Sequence, residues 1–270
     1  MLENFFFGLT GFIFMKNALS AMILITPLFG IVSTMIVNNK LSFFSDALGH
    51  SALAGIAIGV LLGIGNNMVS IIIFSVFFAL LISHVINSEI SSSDTIISIF
   101  SSVGMSIGII LLSAKGNFSK YSSYLIGDIL SITRSEIKIL FLVLILVIFL
   151  WLIFFNKLVI SSLNSELAVS KQINAKFYKN VFSILIALVV AVSLKSVGML
   201  VINSLLIFPA ASAKNIAENT FSYHIFSISF SILSGIIGII VSFYLGISTG
   251  ATIALISSCI FFITFIFSRK

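Results

Sequence analysis

The chain has 270 residues, of which 59% are hydrophobic and 8% are charged, and its mean hydropathy is +1.26. Soluble domains carry roughly 25% charged residues, and a single soluble core stops growing at about this chain length, so the composition excludes a soluble fold. The net charge of +6 comes from basic residues scattered through polar connections. That distribution is typical of topology signals and lipid headgroup contacts rather than of nucleic-acid binding.

Apolar runs long enough to cross a bilayer, about 20 residues each, recur along the whole chain. They fall near residues 17–37, 45–64, 67–87, 95–113, 137–156, 180–194, 197–213, 222–243 and 247–267. Some are short and are separated by only one or two polar residues. We therefore predict an all-α, polytopic integral membrane protein with eight or nine transmembrane helices in a single domain, residues 1–270. Pro27 and Pro209 predict kinks, because proline removes a backbone hydrogen bond.

Basic residues in the connections predict the orientation. With nine spans and the N-terminus outside, eight of the 14 Lys and Arg residues fall inside, which is the direction of the positive-inside rule. The first fifteen residues contain Glu3 but no Lys or Arg, so no cleavable signal peptide is expected.

Two connections are longer than the others. Residues 113–136 are polar at both ends and apolar in the centre, and we expect this segment to re-enter the membrane with its backbone satisfied by protein. Residues 160–180 form the most polar part of the chain. Its Ser165–Ala168 core is compatible with a helix that Asn164 would cap, although an ordinary cytoplasmic loop would have the same composition.

An acid and a histidine interrupt the apolar stretch 41–65. Asp46 and His50 are four residues apart, so in a helix they share one face. An ionised aspartate near the bilayer centre costs about 2.5–3.5 kcal/mol, and a carboxylate with a neutral imidazole suits Zn²⁺ or Mn²⁺. The pair is therefore the candidate metal site. The alternative is structural: Asp46 stabilises the start of a helix and His50 hydrogen-bonds to it.

Small residues follow the pair at four-residue spacing, which predicts close contact with a neighbouring helix. They are Ala47, Ser51, Gly55, Gly59 and Gly63.

The sequence lacks the residues that several kinds of chemistry require. The sequence contains neither H-E-x-x-H nor G-x-x-x-x-G-K-[ST], so it lacks the metalloprotease ligands and the phosphate-binding loop for ATP. Cys259 is the only cysteine, which excludes an intrachain disulfide and a thiolate metal cluster. If ATP drives this protein, another subunit hydrolyses it.

Four segments, in this order, resemble the permease subunit of the zinc/manganese-type ABC importer family. They are "FFSDALGHSALAGIAIG", "YLIGDIL", "LNSELAVSKQIN" and "VGMLVINSLLIFPAASAKNIA". The similarity extends from about residue 17 to the C-terminus. The chain resembles the zinc branch of the family most. Its segment "YLIGDIL", which includes Asp128, is similar to the sequence of that branch, and Ala54 stands where manganese-type members often carry proline.

The resemblance implies a permease that is not itself an enzyme, imports Zn²⁺ and binds no permanent cofactor; a manganese or iron importer of the same family is the alternative. It implies a homodimer in the bacterial cytoplasmic (inner) membrane, in which two copies of Asp46 and His50 give four candidate metal ligands. An ATP-binding subunit at the cytoplasmic face would contact the coupling residues, Ser165, Glu166, Leu167 and Ala168. An extracytoplasmic metal-binding protein would deliver the ion, with Asp128 as a possible docking residue or merely the cap of a re-entrant turn.

Two other classes of function are considered. In a secondary transporter or cation channel, Asp46 and His50 would relay protons without an ATPase. In an intramembrane enzyme, Ser51 or a neighbouring serine would pair with His50, but the sequence shows no nucleophile motif and no convergent acid–base set. The importer accounts for more of the sequence than either.

Overall fold

The structure is a computed structural model that describes residues 11–268 except residues 89, 115, 117, 119, 122, 123, 125, 126, 164–167 and 169. The described residues contain eight α-helices, no strand, and one short 3₁₀ helix, Ile129–Ser131. The α-helices are α1 (Ile13–Asn38), α2 (Phe44–Leu61), α3 (Asn67–Ile86), α4 (Ser93–Ala114), α5 (Arg134–Leu163), α6 (Ala175–Ile216), α7 (Thr220–Leu245) and α8 (Thr249–Ile266).

All eight α-helices are long and apolar enough to cross a membrane, which confirms the predicted all-α, polytopic fold. The predicted spans 180–194 and 197–213 form one 42-residue helix, α6, which is interrupted at Gly198 (φ 76°, ψ 168°). Its parts before and after Gly198 measure about 35 and 27 Å at 1.5 Å per residue, each near the thickness of a bilayer core. α6 therefore has the length of two crossings, and its break falls at a glycine rather than at Pro209.

The chain forms two compact units. The terminal unit, which contains both chain ends, comprises the described parts of Met1–Thr34, Ile126–Leu144 and Ser196–Lys270. The central unit comprises those of Met35–Leu125 and Ile145–Lys195. Helices α1, α5 and α6 contribute residues to both units.

In the central unit, α2 packs against both α3 and α4. Glycines allow the close approach: a methyl group on Gly55 would lie 2.9 Å from Cβ of Phe74 on α3. A methyl group on Gly108 of α4 would lie 2.7 Å from the backbone nitrogen of Ala54. Small residues thus hold the helix that carries the candidate site.

The predicted row of small residues is correct over its first four members, from Ala47 to Gly59, which are all buried. It is wrong at Gly63. Helix α2 ends at Leu61, and Gly63 lies in the following turn with φ 73° and nothing within 4 Å of an added methyl group. The left-handed conformation, which glycine adopts without cost, explains this glycine better than helix contact does.

In the terminal unit, hydroxyl groups join α1 and α7. The Oγ atoms of Ser33 and Ser227 are 2.9 Å apart, and Ser231 Oγ donates to the Thr26 carbonyl at 2.7 Å. Interhelical hydrogen bonds between small residues are a common means of helix association in membranes. Among the described residues, every buried polar side chain other than tyrosine and tryptophan is a serine or a threonine.

The tight packing of α4 on α2 leads to a prediction about stability. Gly108→Val is expected to destabilise the protein by roughly 1–3 kcal/mol, because overpacking forces a well-packed interface apart. The midpoint of SDS-induced unfolding of the purified protein would measure this. Ser106→Val, at an exposed position of the same helix, is the matched control; equal effects of the two substitutions would contradict the packing described above.

Candidate metal site

Asp46 and His50 lie in the first two turns of α2. His50 Nε2 is 3.5 Å from Asp46 Oδ2, and the two side chains are 22% and 32% exposed, respectively. The spacing of four residues therefore brings the imidazole and the carboxylate together, and both remain partly accessible.

The separation of these two atoms is informative. An N–H···O hydrogen bond normally spans about 2.7–3.2 Å, so 3.5 Å is long for a direct bond. Two ligand atoms that each lie about 2.0–2.1 Å from a tetrahedral metal ion are separated by about 3.3–3.4 Å. The observed distance is close to that of two atoms bridged by an ion, and it also lies within the range of a direct ion pair between the two side chains.

The start of the helix explains the position of one member of the pair. Phe43 caps α2 without a side-chain hydrogen bond, and Asp46 is the acid of the first turn, where the helix dipole favours a negative charge. This effect accounts for Asp46. It does not account for His50, which lies one turn further along the helix.

The other ring nitrogen of His50 has no fixed partner. Nδ1 is buried and has no hydrogen-bond partner among the described residues. Histidines that bind metals usually donate this second N–H to a carboxylate, a carbonyl or a water molecule. No side chain or carbonyl in the described part of the chain therefore holds the ring in one tautomer.

One copy of the chain supplies two candidate ligands at this place. The described residues contain no group of three or more His, Cys, Asp or Glu side chains that could hold a metal ion. Structural zinc sites use four protein ligands. The described part of one chain therefore does not by itself provide the ligands of a structural zinc site.

The other two histidines do not join the pair. His224, on α7, has Nδ1 2.8 Å from the Thr220 carbonyl and Nε2 3.0 Å from Thr34 Oγ1. Nε2 thus joins α7 to α1, and Nδ1 contacts a carbonyl of its own helix. His84 lies exposed in the last turn of α3.

Asp128 caps the 3₁₀ helix. Its Oδ1 accepts a hydrogen bond from the Leu130 backbone N–H at 3.0 Å, and its carbonyl accepts one from Ser131 Oγ at 2.9 Å. The side chain is exposed and lines a cavity of about 220 Å³ in the terminal unit. The capping role predicted for Asp128 is therefore present in the structure, whereas docking of a partner stays a prediction.

A glycine pair beside Asp128 was not expected from the sequence. Gly127 has φ 67°, and a methyl group on it would lie 2.0 Å from the backbone nitrogen of Gly198. Gly198 itself has φ 76° and interrupts α6. The loop before the 3₁₀ helix thus meets the break in α6 through backbone alone, and only the glycines in "LIGDIL" and "SVGML" signal it.

The predicted coupling segment is described only in part. Residues 165–167 lie outside the described residues, and their coupling role stays a prediction. Ala168 is fully buried, and its carbonyl accepts a hydrogen bond from the Ile173 N–H at 2.8 Å. Asn174 Oδ1 then accepts one from the Phe177 N–H at 3.1 Å and caps α6.

In the described part of the chain, eight helices of membrane-spanning length, buried serine and threonine hydroxyls and a carboxylate–imidazole pair are the features of a multi-pass membrane protein. The chain belongs to the ABC 3 transport family, whose sequence profile matches residues 11–268. This membership confirms the resemblance found in the sequence.

Similar proteins cover nearly the whole chain. The manganese import system permease protein ScaB of Streptococcus gordonii is 31% identical over 100% of this chain and 97% of its own length. The high-affinity zinc uptake system membrane protein ZnuB of Buchnera aphidicola subsp. Baizongia pistaciae is 30% identical, covering 98% of both. The structure of PsaBC from Streptococcus pneumoniae in complex with Fab is 30% identical with a TM-score of 0.87, covering 100% of this chain and 97% of that chain.

Family membership also assigns the type of subunit. The chain is a transmembrane permease subunit rather than an enzyme, and ATP binding and hydrolysis belong to a separate subunit. The lack of a G-x-x-x-x-G-K-[ST] sequence agrees with this assignment.

Proposed function

We propose that this chain is the permease of an ATP-driven importer of divalent transition-metal ions, that zinc is its preferred ion, and that Asp46 and His50 bind the ion in passage. The observation that carries the proposal is the 3.5 Å separation of His50 Nε2 and Asp46 Oδ2. These two ligand atoms lie near the start of an apolar helix, at a distance that one ion can bridge.

A second copy of the chain would complete the coordination. Two copies of the pair provide two imidazole nitrogens and two carboxylate oxygens, which is enough for four-coordinate zinc. The partial exposure of both side chains supports this arrangement, because groups sealed within one chain could not meet a second one. The homodimer is part of the proposal.

The site is suited to weak, short-lived binding. A transported ion must bind well enough to enter and weakly enough to leave. Loss of the hydrogen bond that orients a ligating histidine typically lowers metal affinity by about 10–100-fold, and His50 Nδ1 has no such bond to the described residues. An ion held by this pair is therefore released more readily than one in a structural site.

The choice of zinc rests on ligand chemistry. Imidazole suits zinc, whereas carboxylate, carbonyl and water oxygens suit manganese, and half of the proposed ligands are imidazole nitrogens. The relatives support both metals, since one is named for manganese import and another for zinc uptake. Manganese is accordingly the second candidate. It would be favoured if oxygen ligands replaced the imidazole nitrogens that the second copy is proposed to supply.

In this proposal, other proteins supply the energy for transport and deliver the metal ion. An ATPase subunit at the cytoplasmic face would act on residues 160–180, with contacts at Ser165, Glu166, Leu167 and Ala168. A metal-binding protein would release the ion on the outer side, where the exposed carboxylate of Asp128 is available to it. The assembly would lie in the cytoplasmic (inner) membrane of a bacterium.

Uptake of radioactive zinc tests the proposed function. Cells that express this chain with its ATPase and its metal-binding protein are expected to accumulate zinc, and uptake should fall to background when the phosphate-binding lysine of the ATPase is substituted. Unlabelled Zn²⁺ should compete better than the same concentration of Mn²⁺. Uptake that persists with the inactive ATPase would contradict the proposal and favour a secondary transporter or channel; stronger competition by Mn²⁺ would reassign the metal.

A further inference from the structure

The central unit contains a cavity of about 440 Å³ that neither Asp46 nor His50 lines. Its lining residues come from the last turns of α1, α3 and α5, from the first turns of α2, α4 and α6, and from the turn that follows α1. A cavity among helix ends lies at a surface of the membrane. The predicted topology puts these ends on the cytoplasmic side.

The cavity is electropositive. Lys40 and Lys179 line it, none of the described Asp or Glu residues does, and neither lysine forms an ion pair with a described carboxylate. Such a lining repels a divalent cation, so the cavity does not extend the metal path. It attracts an anion instead.

Neutral hydrogen-bond donors complete the lining. The side-chain amides of Asn38 and Asn87 have no hydrogen-bond partner within the described part of the chain and are available to a ligand. Asn39, by contrast, already donates to the Met35 carbonyl at 2.8 Å. Two lysines and two asparagines whose side-chain amides have no described partner thus line one space.

We propose that this cavity binds a phosphate group, carried by an anionic phospholipid or present as soluble phosphate. Lysine ammonium groups and amide N–H groups are good donors to phosphate oxygens, and the volume lies within the roughly 300–1,000 Å³ typical of small-ligand pockets. Basic pockets between transmembrane helices at the cytoplasmic side bind anionic lipid headgroups. This inference goes beyond metal import and does not depend on it.

Binding should be strongest in the presence of both lysines. In the complete transporter reconstituted with mixed lipids, native mass spectrometry is expected to find phosphatidylglycerol retained in preference to phosphatidylcholine. Lys40→Gln with Lys179→Gln should weaken this retention by roughly thirtyfold, since each lysine near an anionic headgroup contributes about fivefold. The matched control is Lys171→Gln with Lys176→Gln, which removes the same charge from exposed lysines of the same unit that do not line the cavity.

A second measurement distinguishes the two sources of phosphate. If inorganic phosphate raises the unfolding temperature of the wild type but not of the Lys40/Lys179 variant, the ligand is soluble; if only lipid retention differs, it is a headgroup. Either result supports the proposal. The proposal would be overturned if the cavity variant and the control lost the same retention of phosphatidylglycerol. It would also be overturned if the wild type showed neither a preference for phosphatidylglycerol nor an effect of phosphate. The lysines would then serve only as surface charges at helix ends.

Discussion

Alanine substitution of either Asp46 or His50 is expected to reduce zinc uptake by at least roughly tenfold, because each change removes one ligand from a site that has few. The chain should still reach the membrane in near-normal amounts, since both side chains are partly exposed and neither fills the core. The double variant should be no worse than the more damaging single variant, as is typical of groups that act as one unit.

His84→Ala provides the matched control for His50→Ala. His84 is a histidine of the same unit, but it lies exposed in the last turn of α3 and belongs to no described group of three or more metal-ligating side chains. Uptake by this variant should equal that of the wild type. Normal uptake by the His50 and Asp46 variants, at matched membrane abundance measured by immunoblotting, would rule out the proposed metal pair.

Gly127→Ala is expected to be the most damaging of the conservative substitutions, with a loss of roughly 2–5 kcal/mol of stability. The new Cβ would lie 2.0 Å from the backbone nitrogen and 2.4 Å from Cα of Gly198. Backbone atoms cannot rotate aside as a flexible side chain can, so the loop or the break in α6 has to move. The left-handed φ of 67° adds strain for any residue with a Cβ.

Gly63→Ala separates the effect of close backbone contact from the effect of the left-handed backbone conformation. Gly63 also has a left-handed φ of 73°, but nothing lies within 4 Å of an added methyl group, so only the backbone strain of about 1–2 kcal/mol is expected. Unfolding midpoints in SDS would compare the two variants. If both lose the same stability, the close contact between Gly127 and Gly198 contributes nothing.

Local patterns in the sequence predicted most of the helices, because a membrane span needs only a long apolar run. The spacing of Asp46 and His50 predicted their proximity for a similar reason, since residues four apart meet on any helix. The same argument failed at Gly63, where the sequence contains small residues at the right spacing but the helix has already ended. Helix boundaries depend on turns whose energies a pattern of small residues does not reveal.

Contacts between distant segments could not be predicted from one sequence. Nothing in the surroundings of Ser33 indicates Ser227 as its partner, because serine is common throughout these spans and the two residues are 194 positions apart. The meeting of Gly127 with Gly198 is of the same kind. The coupling residues Ser165, Glu166 and Leu167 were found by resemblance alone, and they lie outside the described residues.

The hydroxyl-only interior of the described part of the chain has a consequence for the speed of transport. Serine and threonine oxygens are weak ligands for a dipositive ion. If Asp46 and His50 bind the transported ion as proposed, the ion meets no second strong binding site among the described buried residues after it leaves them. The residence time of the ion in the protein is then set by its release from Asp46 and His50. A variant with stronger metal binding at this pair would release the ion more slowly. Its metal affinity and its transport rate would therefore change in opposite directions.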